Sequence, residues 1–182
     1  MPTLVVVSGP PGSGKTTLAH ELARAIPCPA ICRDEIKEGM VHAHGGDFQG
    51  VPGDPLTQRT LPLFFDVVRM LIEGGVTVVA EAAFVDERWR DGVAPFRDLA
   101  EPRIVRCRVS PAVAFQRAGL RAASNEQRRR AHGDSTMDKQ LADWEEAFAG
   151  FEYASLDAPA IDVDTTDGYS PELARIVAFI ND

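Results

Sequence analysis

The chain has 182 residues, 45% of them hydrophobic and 25% charged, with a formal net charge of −8. This is the mix of one ordinary globular domain; it excludes dominant disorder, and no apolar run approaches the ~20 residues of a membrane-spanning helix. The acidic total disfavours a chain that coats nucleic acid or an anionic membrane.

The predicted elements alternate between strand and helix. Residues 3–8 are a β-branched apolar run bounded by Gly9, Pro10, Pro11 and Gly12, the pattern of a buried strand. This N-terminal run has no basic flank and is too short for a signal peptide. Residues 15–26 carry Leu18, Leu22 and Ile26 at helical spacing until Pro27. Residues 30–32 form a short strand, residues 34–44 a helix, and residues 45–55 a Gly/Pro-rich loop. Residues 57–73 put Leu61, Phe64, Phe65, Val68, Leu71 and Ile72 on one helical face, capped by Gly74 and Gly75. A strand at 76–80 and a helix at 86–100 follow. The strand at 103–109 carries Arg106 and Arg108, which suit a fully buried strand poorly. Ser110 and Pro111 open a helix as N-cap and first residue. Residues 135–151 place Met137, Leu141, Trp144, Phe148 and Phe151 on an amphipathic helix. A last strand at 160–163 precedes Ser170 and Pro171, which open the final helix by the same device. Strands separated by helices imply a parallel sheet covered on both faces, with 3–8 and 76–80 central and 30–32 and 160–163 at the edges. Cys28, Cys32 and Cys107 cannot all pair and include no CxxC, so they read as reduced thiols of a cytoplasmic protein.

The strongest chemical signal is Gly9-Pro10-Pro11-Gly12-Ser13-Gly14-Lys15-Thr16, which fits G-x-x-x-x-G-K-[ST] between a strand and a helix. Such a loop turns backbone N–H groups inward as an anion nest, above the positive end of the helix. Lys15 is placed to reach β- and γ-phosphates, and the Thr16 hydroxyl to ligate Mg²⁺. Thr17 joins these as a nucleotide-binding residue. Asp34 falls at the end of the second strand, where an open α/β sheet faces its ligand. It reads either as a base or outer-shell magnesium group, with Arg33 and Lys37 holding phosphate beside it, or as an N-cap on a solvated charged helix. Glu81, directly after the 76–80 strand, is placed to orient the metal shell or a water. Asp86 is a weaker candidate for that role and can equally cap the next helix. Arg117 and Arg121 share a helix face, and Arg128, Arg129 and Arg130 follow in a polar loop; such a cluster suits a lid over a transferring phosphoryl group. The four histidines show no metal-ligand spacing with cysteine or carboxylate partners, although His42 and His44 can line an acceptor pocket. Trp89 and Trp144 read as packing residues.

The phosphate loop, the Arg33-Asp34-Glu35-Ile36-Lys37 segment followed by Met40 and His42, and the strand end from Val78 to Phe84 together resemble the zeta-toxin and 5′-polynucleotide-kinase branch of the P-loop kinases. The resemblance runs in order over nearly the whole chain. It implies a single AAA-type kinase domain over 1–182, a P-loop NTPase fold with a five-stranded parallel sheet of order 2-3-1-4-5, and a lid near 117–134. It assigns Asp34 as general base on an acceptor hydroxyl and Arg117 or Arg121 as the lid arginine, with Arg128 to Arg130 as further candidates. It also implicates Thr165 and Thr166 near the adenine, and Arg128 is grouped with these nucleotide-binding residues. Where polynucleotide kinases carry a second arginine this chain has Lys37, which cannot make the same bidentate fork. The 45–55 loop is its own and shapes the acceptor site, so the family's acceptor does not carry over.

The expectation is therefore an ATP- and Mg²⁺-dependent phosphotransferase acting on a hydroxyl of a small molecule. A 5′-hydroxyl polynucleotide kinase and a nucleotide-binding regulatory ATPase are the alternatives. The charge distribution sharpens this. Residues 103–130 hold eight arginines and one acid, Glu126, whereas residues 134–182 hold two basic and twelve acidic side chains. A phosphate-rich partner is thus confined to one basic stretch, which suits a nucleotide better than a long nucleic acid.

Overall fold

Leu4, Val5, Val6 and Val7 are all almost wholly buried, because β1 (Thr3–Ser8) lies in the middle of a sheet with packing on both faces. In a computed structural model that describes residues 1–45, 48–51, 53–132 and 140–182, with nothing stated for the Gln127 side chain, five parallel strands run in the order β2-β3-β1-β4-β5. The others are β2 (Ala30–Cys32), β3 (Val78–Ala82), β4 (Glu101–Arg108) and β5 (Ala160–Asp164). The fold is the expected α/β P-loop NTPase architecture, with the two expected strands at the edges.

Side chains alternate across β1 with period two. Leu4 and Val6 face a core with Phe64, Val68, Trp89 and Ile104, supplied in part by α3 (Pro55–Glu73) and α4 (Asp86–Val93). Val5 and Val7 face the other core, with Leu18 and Leu22 of α1 (Lys15–Ala25) and Ile176 and Ile180 of α8 (Leu173–Asn181). Asp54 caps α3 by accepting from the Thr57 N–H at 2.8 Å, and Pro55 takes the first helical position. The helix therefore begins two residues earlier than its apolar stripe suggests. Gly92 lets α4 pack on Phe65, since a Cβ there would lie 2.1 Å from the ring.

Other boundaries move for local reasons. A 3-10 segment at Ala94–Leu99 ends the 86–100 helix. The two arginines of β4 are accommodated: Arg106 Nε donates to the Ala154 carbonyl at 2.9 Å, and Arg108 pairs with Asp162 of β5 and lies 3.7 Å from the Tyr153 ring centroid. Ser110 caps α5 (Pro111–Ser124) as expected. Ser170 does not repeat the device, because its backbone pairs with Asp164 and Glu172 becomes the N-cap of α8. Arg128, Arg129 and Arg130 are in a helix, α6 (Glu126–His132), rather than a loop. The amphipathic helix is described from α7 (Leu141–Ala149); Met137 and residues 135–139 lie outside the described residues, as do 133 and 134 of the lid and 46, 47 and 52 of the 45–55 loop. Among the described residues no helix is long and apolar enough to cross a membrane.

Candidate active site

The chain leaves β1 at its C-terminal end, wraps through residues 9–14 and enters α1 at Lys15. Gly12 and Gly14 both hold φ of +78, a region open to glycine. A Cβ on Gly12 would also lie 2.5 Å from the Ala114 carbonyl, so the loop must pass α5 without a side chain. Gly9 is similarly crowded, since a Cβ there would lie 2.6 Å from the Ser13 Oγ. The Ser13 N–H donates to the Pro10 carbonyl at 3.2 Å and closes the turn. Thr165 locks the loop from outside: its hydroxyl donates to the Ser13 carbonyl at 2.7 Å.

Beneath the loop, Glu81 is inside β3, opposite Val7 and Cys32, and not beyond the strand end as the sequence suggested. Its carboxylate accepts from the Thr16 hydroxyl at 3.0 Å and lies 3.5 Å from Lys15 Nζ. Burial, together with the nearby charge of Asp34, pushes the Glu81 carboxyl up against the pull of Lys15 and Thr16. Lys15 and Glu81 are both buried, so the lysine is held ready at the mouth of the loop.

Asp34 is in the first turn of α2 (Arg33–His44), with Cys32 at the N-cap position; it is not the cap itself. Its oxygens accept from Arg33 Nη1 at 3.1 Å and Arg128 Nη2 at 3.0 Å. Burial raises this carboxyl, but His132, Lys15, Arg128 and Arg33 outweigh it and hold Asp34 well below the usual carboxylate range. These cations therefore favour the ionised carboxylate of Asp34.

Two cavities open from the loop. One, of about 690 Å³, is bordered by Gly14, Thr16, Thr17, Arg117, Thr165 and Tyr169. The other, of about 330 Å³, is bordered by Pro11, Arg33, Asp34, Arg128, His132 and Trp144. Gly12, Lys15 and Arg121 line both. Arg121 thus stands where the two meet, and among the described residues no hydrogen bond or ion pair holds its guanidinium. Burial and the neighbouring Arg128 lower its proton affinity. Arg117 is differently used: its Nη2 donates to the Thr165 and Thr166 carbonyls at 2.7 and 2.9 Å, binding α5 to the loop after β5.

Several expected residues fall elsewhere. Lys37 lines neither cavity; it is buried, and its charge is paired with Asp54, its Nζ lying 2.7 Å from Oδ2. Arg128, grouped with the nucleotide residues in the sequence, lines the other cavity and spans Asp34 and Glu38. Thr165 borders the larger cavity with its hydroxyl already committed, and Thr166 is exposed and not among its walls. Asp86 neither caps α4 nor approaches the loop; it accepts from the Ser155 and Leu156 N–H groups and from Arg90. His42 and His44 are exposed at the end of α2.

The sequence missed His132 and Trp144 as cavity residues, whereas Arg129, one of the further arginine candidates, does line that cavity. His132 was signalled only by following the arginine run by two positions. It also missed a grouping that tertiary structure creates: His20, Cys32 and Glu35 bring one ligand atom each within 4.8 Å of one another. Cys28, Cys32 and Cys107 are all free thiols.

A family profile described as an AAA domain, AAA_33, matches residues 4–149. No curated protein matches the chain in sequence. Among solved structures, a provisionally named kinase of Chloroflexus aurantiacus J-10-fl superposes with a TM-score of 0.80 at 23% identity, over 99% of this chain and 97% of its own. A sugar kinase of Janibacter sp. HTCC2649 gives 0.65 at 18% identity, over 100% and 95%. A gluconokinase of Sinorhizobium meliloti 1021 gives 0.60 at 18% identity, over 99% and 92%. At these identities the likeness is one of fold. The profile spans most of the chain and includes its phosphate loop, Asp34, Glu81 and the α5–α6 arginines: the chain belongs to the AAA_33 family of AAA domains.

Proposed function

We propose that this protein is an ATP-dependent phosphotransferase of the zeta-toxin and polynucleotide-kinase-like branch that moves the γ-phosphate to a hydroxyl of a small molecule. The observation that carries the reading is the position of Asp34. An ionised carboxylate borders the smaller cavity together with Lys15, which also reaches into the larger one. A hydrolase needs only the nucleotide side; a carboxylate facing a second cavity suits a second substrate.

The nucleotide phosphates lie in the nest of loop amides, with Lys15 leaving Glu81 for the β- and γ-oxygens. Leu120, 66% exposed, and Tyr169 both border the larger cavity and offer apolar surface to a base. Thr16 Oγ1 and the Glu81 carboxylate are hard oxygen donors side by side at the loop, a set that fits magnesium. Thr16 would hold that ion, with Glu81 accepting from its waters, and the ion would neutralise charge on the phosphate oxygens. Asp34 accepts the acceptor's hydroxyl proton while the oxygen bonds to the γ-phosphorus and the bridge to ADP breaks. Arg121 lies over the junction and stabilises the charge that spreads over the transferring group. A cavity of about 330 Å³ accommodates one small molecule more readily than a strand of nucleic acid.

The test is transfer of labelled γ-phosphate to a panel of nucleosides, sugars, aminoglycosides and short 5′-hydroxyl oligonucleotides, with wild type and Asp34→Asn. The expected result is a labelled small molecule, lost in Asp34→Asn with ATP affinity retained. Labelled oligonucleotide with a steep salt dependence would replace this reading with polynucleotide kinase. ATP hydrolysis with no labelled acceptor would leave the regulatory ATPase.

A further inference from the structure

We propose that His20, Cys32 and Glu35 form a binding site for a thiophilic divalent cation, zinc above all, that staples α1 to the start of α2. The site shares no residue with the magnesium set of Thr16 and Glu81, and it does not depend on the kinase reading.

The three side chains come from three elements. His20 is on α1, Cys32 ends β2, and Glu35 is in the first turn of α2. The sheet fixes Cys32, which is opposite Glu81 of β3, and the buried Leu18, Ala19 and Leu22 anchor α1 on either side of His20. His20 Nε2 lies 2.7 Å from Glu35 Oε1 and 3.8 Å from Cys32 Sγ, and all three ligand atoms lie within 4.8 Å of one another. Around a tetrahedral zinc, ligand atoms of these types stand about 3.3–3.6 Å apart. Small rotations of His20 and Glu35, whose side chains are partly exposed, bring the three atoms to that spacing. Among the described residues no other three His, Cys, Asp or Glu side chains meet so closely.

The donor set chooses the cation. One sulfur, one imidazole nitrogen and one carboxylate oxygen suit zinc and leave its fourth position to water, whereas magnesium asks for oxygens alone. Cys32 is buried, and burial, with Glu81 and Glu35 nearby, pushes its thiol up, so the free protein keeps the proton on sulfur. Binding therefore exchanges that proton: the S–H bond breaks, the sulfur–metal bond forms, and the proton goes to solvent. Only a cation with strong affinity for thiolate makes this exchange. The neutral imidazole, with its hydrogen on Nδ1, gives Nε2 to the ion. His20 and Glu35, with side chains 37% and 45% exposed, give the ion its way in. By themselves they are an exposed pair that adds little to stability, whereas an ion between them ties two helices to the buried end of β2.

The test titrates the full, reduced chain without nucleotide, using Co²⁺ as a spectroscopic stand-in and Zn²⁺ in competition. The expected result is a single bound cobalt with a thiolate-to-cobalt charge-transfer band, erased by Zn²⁺ and untouched by a large excess of Mg²⁺. Cys32→Ser should remove the band, and Cys28→Ser, which alters the half-buried neighbouring thiol, should keep it. His20→Ala and Glu35→Gln change partly exposed side chains and spare the core. Each should weaken zinc binding by about tenfold or more, since losing a group that merely orients a ligand already costs that much. The unfolding midpoint of the wild type should rise with Zn²⁺ concentration, and that of His20→Ala should not. No charge-transfer band, a band that survives Cys32→Ser, displacement by Mg²⁺, a midpoint that zinc does not raise, or zinc affinity unchanged in both His20→Ala and Glu35→Gln overturns the inference.

Discussion

Arg128 Nη2 lies 3.0 Å from Asp34 Oδ2, and Nη1 of the same guanidinium lies 2.6 Å from Glu38 Oε1. One arginine of α6 thus holds two acids of α2, one of them the candidate base. α6 is further clasped by residues 45 and 50: Arg130 Nη2 donates to the Gly45 carbonyl, and the Gly50 N–H donates to the Arg130 carbonyl at 2.7 Å.

Arg128→Gln removes a cation beside Asp34, so the carboxyl should rise toward its ordinary value. A base with a higher pKa is protonated at higher pH, so the titration of the Asp34 side-chain carboxyl carbon, followed by NMR, should begin at a higher pH than in wild type. An unmoved titration would show that Arg128 does not tune the base.

Arg121 and Arg117 should separate kinetically. Arg121, without a hydrogen-bond or ion-pair partner among the described residues and between the cavities, should cost roughly 10³-fold in kcat when changed to Gln, with little change in ATP affinity. Arg117→Gln releases the Thr165–Thr166 carbonyls and should act mainly on KM for ATP. Steady-state kinetics of the two variants with ATP varied would expose a reversed assignment.

Glu81→Gln keeps an acceptor for Thr16 but removes the charge opposite Lys15. The Mg²⁺ concentration for half-maximal activity should rise by about tenfold or more, as losses of metal-orienting groups do. A magnesium titration at saturating ATP that superimposes on wild type would remove Glu81 from the metal shell.

The Lys37–Asp54 pair is structural. Lys37→Met leaves a buried carboxylate and should destabilise the fold by about 3 kcal/mol, whereas Lys37→Met with Asp54→Asn should lose less than the two single changes together. Burial raises the Asp54 carboxyl, but Lys37 and Thr57 draw it down from 3.8 to about 2. A carboxyl depressed by folding adds stability above its ordinary value and loses it as pH falls toward the lower one. Urea midpoints should therefore drop between about pH 4 and pH 2, and less so in the double variant.

Gly12→Ala should disturb both the φ of +78 and the close pass to the Ala114 carbonyl. ATP affinity should fall about tenfold or more, since the loop amides and α5 move together. Nucleotide titration by calorimetry checks it.

The central and edge strands and the phosphate loop were legible because each depends on local pattern, whereas the full strand order came from the family resemblance. Four consecutive apolar residues at 4–7 demand burial on both faces, and only glycine tolerates the backbone of residues 12 and 14. Asp34 was legible as a candidate for the same reason: it follows a strand end on the ligand side. Its alternative as an N-cap was resolved only by the fold, which set Cys32 at that position.

Side-chain partnership was not legible. Lys37 and Arg128 carry the same charge in the sequence, and both stood there as candidates for phosphate. Lys37 instead meets Asp54, 17 residues on, while Arg128 meets Asp34, 94 residues back. Periodicity reports which face of an element is buried, but not which distant element covers it. The sequence by itself determined a P-loop domain with an acid at the ligand-side end of the second strand. Tertiary structure alone decided which cations reach that acid, because partners so distant in the chain meet only when the whole sheet has placed α2, α5 and α6 around one loop.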